Sequence, residues 1–253
     1  MSIGDRVLLS SGLVLYTWLV FVLWRRRVYG RFPVFFSYAI YGALASAARL
    51  LVSGHYSIYF YVYWSTELGF LLLGIAALHE TFQLVFGGFY LLRRFRWFYY
   101  GSLVLFLTVS VVNSIFNRPV NTHPLIASIL DLGTAINCIQ AAIFGLFYIC
   151  AKLLNVSFRR YPFAIVLGFG ISAIGTLIPY AIRSIFGKSF ENFVVYAPSV
   201  AYYIRLGIWL SAFLRREPAD DEPASPLSPE QMTDEVRQYT RVMKGVFGKS
   251  NES

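Results

Sequence analysis

The stretch AYYIRLGIWLSAFLRR, residues 201–216, poses the question that decides the fold. It is mostly apolar, yet Arg205 lies ten residues before the basic pair Arg215 and Arg216. A charge inside a lipid bilayer costs several kcal/mol unless it is paired or faces a wet cavity. The pattern therefore predicts a transmembrane helix that ends near the basic pair. It also predicts that Arg205 meets partners on other helices.

The overall composition indicates an integral membrane protein. Hydrophobic residues make up 57 % of the 253 residues and charged residues only 14 %, against about a quarter in soluble domains. The mean hydropathy is +0.57. A net charge of +9 would suggest nucleic acid in a soluble protein, but here the charges lie at the ends of apolar runs. We therefore expect a lipid bilayer as the partner and no nucleic acid.

Seven apolar runs are long enough to cross a bilayer, which takes roughly 20 residues per helix. They cover approximately residues 7–24, 33–52, 58–84, 98–116, 124–154, 162–186 and 193–214. The predicted fold is all-α, a polytopic bundle of seven transmembrane helices formed by residues 1–216.

The distribution of lysine and arginine predicts the orientation of this bundle. Twelve basic residues lie in the loops after the first, third, fifth and seventh runs, and three lie on the opposite side. Basic residues gather on the cytoplasmic side. The sequence therefore predicts an outside N-terminus, a cytoplasmic C-terminus and a multi-pass location in the cytoplasmic (inner) membrane.

Residues 217–253 differ in composition and are predicted to form a cytoplasmic tail. The segment EPADDEPASPLSP is rich in proline and acid, which is typical of a linker. A short helix with an apolar stripe should follow it, in SPEQMTDEVRQYTRVMKGVF. Two alternatives stay open for this helix: it lies on the membrane or the bundle, or it binds a cytoplasmic protein partner.

Small residues recur at four-residue spacing in the sixth run, at Ala164, Gly168, Ser172 and Thr176. Small side chains on one face let two helix backbones approach closely in lipid. We therefore interpret this face as a packing surface rather than as part of a site.

The ionisable residues inside the runs are predicted to form one layer in the outer half of the bundle. Helical side chains lean toward the N-terminus of their own helix, so Arg205 should reach the level of Glu67 and Asp131 and pair with one or both. Three arginines and two carboxylates leave one excess positive charge, which suits a small anion or a lipid headgroup. The candidate ligand-binding residues are Arg205, Glu67, Asp131, Tyr202, Tyr63, Arg49 and Arg183.

Three interpretations of this layer remain open: a network that only fixes helix register, a ligand or substrate pocket, and a proton relay. The leading functional hypothesis is a sensor or receptor that binds a small anionic ligand or lipid. The alternatives are a small-solute transporter and a structural subunit of a membrane complex. No catalytic, metal or cofactor motif is visible, and the last run contains no lysine that could hold retinal.

The stretch YSIYFYVYWSTELGFLLLGIAALHETF, residues 56–82, together with the preceding RFPVFFSYAIY, resembles an uncharacterised family of bacterial seven-helix integral membrane proteins. That family has no assigned activity. The resemblance implies a topology and a bacterial inner-membrane setting, and fold-level similarity alone says little about function.

Overall fold

The computed structural model describes residues 3–90, 124–153, 160–186 and 191–215, together with a few single residues elsewhere. This part of the chain is all-helical and contains no strand. Six α-helices follow one another: α1 Ile3–Arg25, α2 Pro33–Leu51, α3 Tyr56–Tyr90, α4 Pro124–Leu153, α5 Arg160–Phe186 and α6 Glu191–Leu214. A single 3₁₀ turn, Val28–Gly30, joins α1 to α2.

Three stretches within these helices are long and apolar enough to cross a membrane, namely Pro33–Leu51, Ser57–Phe86 and Arg160–Pro179. Leu9–Arg25 and Gly133–Ile149 are shorter apolar helices. The all-helical prediction is thus confirmed for the described part of the chain. The predicted run 98–116 and the tail 217–253 lie outside the described residues, apart from isolated positions.

The helices α3 and α4 run in the same direction although they follow one another in the chain. Gly133, near the start of α4, lies against the side chain of Leu71 in the first half of α3. Toward the far ends, the rings of Phe86 and Phe147 are 5.4 Å apart. The end of α3 and the start of α4 therefore lie at opposite ends of the bundle.

An aromatic cluster fills the middle of the bundle. Phe35, Tyr38, Phe169, Trp209 and Phe213 are all at most 1 % exposed. The Trp209 ring meets Phe35 edge-on at 5.0 Å and Phe169 at 5.1 Å, a favoured geometry for aromatic pairs. Because these residues come from α2, α5 and α6, the cluster joins three helices.

The small-residue face of α5 packs against α6, as the sequence predicts, over its first two positions. A Cβ at Gly168 would overlap the Trp209 ring, and the Trp209 indole N–H donates to the Ala164 carbonyl at 3.0 Å. The next two positions, Ser172 and Thr176, instead face a cavity. The same stripe therefore packs at one end and lines a pocket at the other.

In the half of the bundle away from this cavity, polar side chains form hydrogen bonds with the free backbone groups at helix ends. The Glu80 carboxylate accepts hydrogen bonds from the Val34 and Phe35 amides at 2.9 and 3.0 Å, at the start of α2. Arg26 Nη2 donates to the Leu214 carbonyl at 2.6 Å, at the end of α6. A negative group at a helix N-terminus and a positive group at a C-terminus both complement the helix dipole.

Candidate functional site

A partly open cavity of about 430 Å³ lies in the half of the bundle where α1, α3, α4 and α6 begin. Residues from all six helices line it. Its polar lining side chains are Tyr38, Ser46, Arg49, Tyr63, Trp64, Glu67, Thr134, Asn137, Gln140, Ser172, Thr176, Ser199, Tyr202, Tyr203 and Arg205. A concave site with converging polar groups is the usual form of a small-molecule binding site.

Five of the seven candidate residues named from the sequence line this one cavity: Arg205, Glu67, Tyr202, Tyr63 and Arg49. The side chains of Asp131 and Arg183 lie outside the described part of the structure, although both positions fall within helices. The predicted convergence of charged and tyrosine residues from α2, α3 and α6 is therefore observed for every candidate whose side chain is described.

Arg205 is buried at the wall of the cavity and is held by hydroxyl groups. Its side chain is 9 % exposed. Nη1 donates to the Ser172 hydroxyl at 3.1 Å and Nη2 to the Tyr16 hydroxyl at 3.3 Å. Its Nε has no hydrogen-bond partner. A buried donor without an acceptor costs about 1–3 kcal/mol, so the described residues only partly satisfy this guanidinium.

Of the two acids predicted as partners of Arg205, Glu67 does not pair with it, and that part of the prediction is wrong. Glu67 pairs instead with Arg49, whose Nη2 lies 3.0 Å from its Oε2. The reason is helix arrangement: within the described residues α3 packs on α2, which carries Arg49, and its backbone does not approach that of α6 closely. No carboxylate among the described side chains forms an ion pair with Arg205. Whether Asp131 pairs with Arg205 stays a prediction.

Aromatic rings surround the Arg205 guanidinium on several sides. Its central carbon lies 5.2 Å from the ring centroids of both Tyr202 and Trp209 and 6.0 Å from that of Tyr38. Each cation–π contact within about 6 Å contributes roughly 0.5–2 kcal/mol. These rings lower the cost of burying the charge, but they do not neutralise it.

Arg49, by contrast, makes three hydrogen bonds, one of them to a carboxylate. Its Nε donates to the Thr66 hydroxyl at 2.7 Å, and its Nη2 donates to the Glu67 carboxylate and to the Tyr63 carbonyl. Its central carbon also lies 4.5 Å from the Tyr63 ring centroid. Because Glu67 neutralises Arg49, the excess positive charge of the described lining resides on Arg205.

The sequence did not identify several residues of this site as candidates. Ser172 and Thr176 belong to the small-residue stripe, whose spacing predicts only a packing surface. Tyr16 does not line the cavity but accepts a hydrogen bond from Arg205, and it lies in an apolar run whose periodicity gives no sign of a polar role. Asn137 and Gln140 follow Asp131 in the chain, and these intramembrane amides were the signal that could have identified the α4 wall.

The aromatic cluster closes the cavity toward the middle of the bundle. Trp209 lies about one helical turn beyond Arg205 on α6, and Tyr38 lines the cavity while it stacks within the cluster. The pocket therefore ends at a packed aromatic layer. Within the described residues, no group of histidine, cysteine, aspartate or glutamate could hold a metal ion.

Comparisons with known proteins leave the interpretation to this geometry. The chain matches no known family model, no curated protein and no solved structure.

Proposed function

We propose that this protein is a receptor-like membrane sensor that binds a small anionic group in the cavity, with Arg205 as the anchor. The observation that carries the proposal is a buried arginine with no carboxylate partner among the described side chains, at the wall of a 430 Å³ pocket. The anionic group belongs either to a free solute or to a lipid headgroup.

Energetics favour an anion at this position. A charge at membrane depth costs several kcal/mol unless it is compensated, and two hydroxyls with three aromatic rings compensate Arg205 only in part. An anion in the cavity would neutralise the guanidinium in a low-dielectric setting, where the attraction is strong. A purely structural role would instead favour a direct carboxylate partner, as Arg49 has.

The proposal includes seven transmembrane helices with the N-terminus outside. The end of α3 and the start of α4 lie at opposite ends of the bundle, so residues 91–123 connect the two ends. A span at 98–116 would make that connection. With the predicted orientation, the cavity opens toward the outside of the cytoplasmic membrane. This topology also fits the resemblance to bacterial seven-helix proteins.

The closed inner end of the cavity is compatible with a sensor, in which a ligand binds without passing through the bundle. A transported solute would have to pass Trp209, Phe35 and Phe169, which are buried and in ring contact. Ligand binding against this layer would instead change the packing of α2, α5 and α6. The tail that follows α6 would carry that change to a cytoplasmic partner.

A thermal-shift screen of the purified protein in detergent tests the binding proposal. The probes are acetate, inorganic phosphate, sulfate and micelle-incorporated phosphatidylglycerol, which separates free solutes from a lipid headgroup. The variants are wild type, Arg205→Gln and the matched control Arg25→Gln, which removes an exposed arginine at the opposite end of the bundle.

We expect at least one probe to stabilise wild type and Arg25→Gln but not Arg205→Gln. A ligand at about 100 times its dissociation constant adds roughly 2.7 kcal/mol to the native state. If no probe separates Arg205→Gln from the control, the arginine is a structural cation and the proposal fails. Accumulation of the stabilising anion in proteoliposomes would replace the sensor with a transporter.

A further inference from the structure

We propose that the anion bound at Arg205 is a monocarboxylate rather than a phosphate-type dianion. This inference rests on the proposed function, because it names the chemical class of the ligand for the same cavity. It is carried by the charges, the hydrogen-bond partners and the volume of the described lining residues.

The charge balance of the described cavity lining calls for one negative charge. The described lining contains two cations, Arg49 and Arg205, and one anion, Glu67. Glu67 forms an ion pair with Arg49, in which Oε2 lies 3.0 Å from Nη2. Arg205 is therefore the single cation of the described lining that remains to be neutralised. A monoanion brings the described lining to neutrality. A dianion would leave one uncompensated negative charge where solvation is poor, which is costly.

The donors of Arg205 also match a carboxylate. A guanidinium carries five N–H donors, and the hydroxyls of Ser172 and Tyr16 take one from Nη1 and one from Nη2. Each of these nitrogens therefore keeps a second N–H. The planar fork of a guanidinium binds the two oxygens of a carboxylate in parallel. No other unpaired cation among the described lining residues could share the further oxygens and charge of a phosphate.

The remaining walls suit a compact neutral body on the ligand. Asn137, Gln140 and Thr176 offer neutral donors and acceptors, and Trp64 and Phe70 offer flat apolar surface. A volume of 430 Å³ lies in the lower part of the range of about 300–1,000 Å³ for small-molecule sites. A small ring or short chain with one carboxylate fits these limits.

Three probes that differ only in their headgroup test the inference. Benzoate carries one negative charge, phenylphosphonate carries two at a sufficiently alkaline pH, and benzamide carries none. Their affinities for the full chain are measured by calorimetry at one such pH, in wild type, Arg205→Gln and Glu67→Gln. The last variant leaves Arg49 without its counter-ion and adds one positive charge to the wall.

We expect wild type to bind benzoate at least about tenfold more tightly than phenylphosphonate or benzamide, a difference of about 1.4 kcal/mol. In Glu67→Gln the order of benzoate and phenylphosphonate should reverse, because two cations now face the ligand. The ratio of two affinities within one variant does not depend on how much that variant is destabilised. Arg205→Gln should lose the preference for benzoate over benzamide.

Other results overturn the inference in distinguishable ways. If wild type prefers phenylphosphonate and this binding requires Arg205, the anion site stands and the monocarboxylate assignment is wrong. If Glu67→Gln keeps the wild-type order, the charge argument is wrong. If wild type binds no probe, or binds benzamide as tightly as benzoate, the monocarboxylate assignment fails. If anion binding is the same in Arg205→Gln, the proposed function fails with it.

Discussion

Ser172→Ala removes one of the two hydroxyls that hold Arg205 and leaves Tyr16 as its only described hydrogen-bond acceptor. Hydrogen bonds to charged groups contribute about 1.5–3 kcal/mol in soluble proteins. Hydrogen bonds between transmembrane helices average about 0.6 and reach about 1.7 kcal/mol. Because Arg205 is charged, 9 % exposed and already has an unpaired Nε, we expect a cost close to this upper limit, about 1.5 kcal/mol.

The assay is unfolding by sodium dodecyl sulfate in mixed micelles, with a double-mutant cycle. Ser172→Ala is measured alone and in an Arg205→Met background, where its cost should vanish because the donor is gone. Ser37→Ala is the matched control, since that exposed hydroxyl donates only to the Pro33 carbonyl of its own helix. Equal costs for Ser172→Ala and Ser37→Ala, or an unchanged cost in the Arg205→Met background, would refute the view that Ser172 stabilises the buried guanidinium.

Further predictions concern packing, helix capping and topology. Gly168→Ala should destabilise the protein by about 1–3 kcal/mol, because the added methyl group would overlap the Trp209 indole packed against this position. Gly207→Ala is the control and should be neutral or stabilising, because a methyl group there meets nothing within 4 Å. Equal losses of stability for the two variants in the same micelle assay would contradict this prediction. Glu80→Gln should cost about 1–2 kcal/mol, since an amide NH₂ replaces an oxygen that accepts from the first amides of α2; an unchanged unfolding midpoint would rule out the cap. Reporter fusions after Arg31 and after Arg160 should both report the cytoplasm, and an outside signal from either would contradict the seven-helix topology.

The sequence predicted an all-helical chain, and the described residues are all-helical, because long apolar runs are a strong signal for helices that cross a membrane. The sequence also predicted that five residues lie close together, and all five line the same cavity: Arg49, Tyr63, Glu67, Tyr202 and Arg205. That success has a physical basis. Charged and polar groups cannot face lipid without cost, so those at similar depth converge on the inside of the bundle.

Which arginine pairs with Glu67 could not be predicted from depth in the membrane. Depth places Arg49 and Arg205 at the same level as Glu67, but only the lateral order of the helices shows that α2, not α6, lies beside α3. Nor did any pattern indicate that the hydroxyls of Ser172 and Tyr16 accept hydrogen bonds from Arg205. The role of Ser172 was hidden because a small residue on a packing face and a small residue at a cavity wall look alike in a sequence.

Direct binding tests the central claim, that Arg205 anchors an anion in the cavity, most directly. The measurement is the calorimetric dissociation constant of the most stabilising anion for wild type, Arg205→Gln and Arg25→Gln in one detergent. Loss of one partner from a buried charge pair costs about 2–5 kcal/mol, so Arg205→Gln should bind at least about 30-fold more weakly, and Arg25→Gln should match wild type. If Arg205→Gln binds the anion as tightly as wild type does, Arg205 is not its anchor and the claim is wrong.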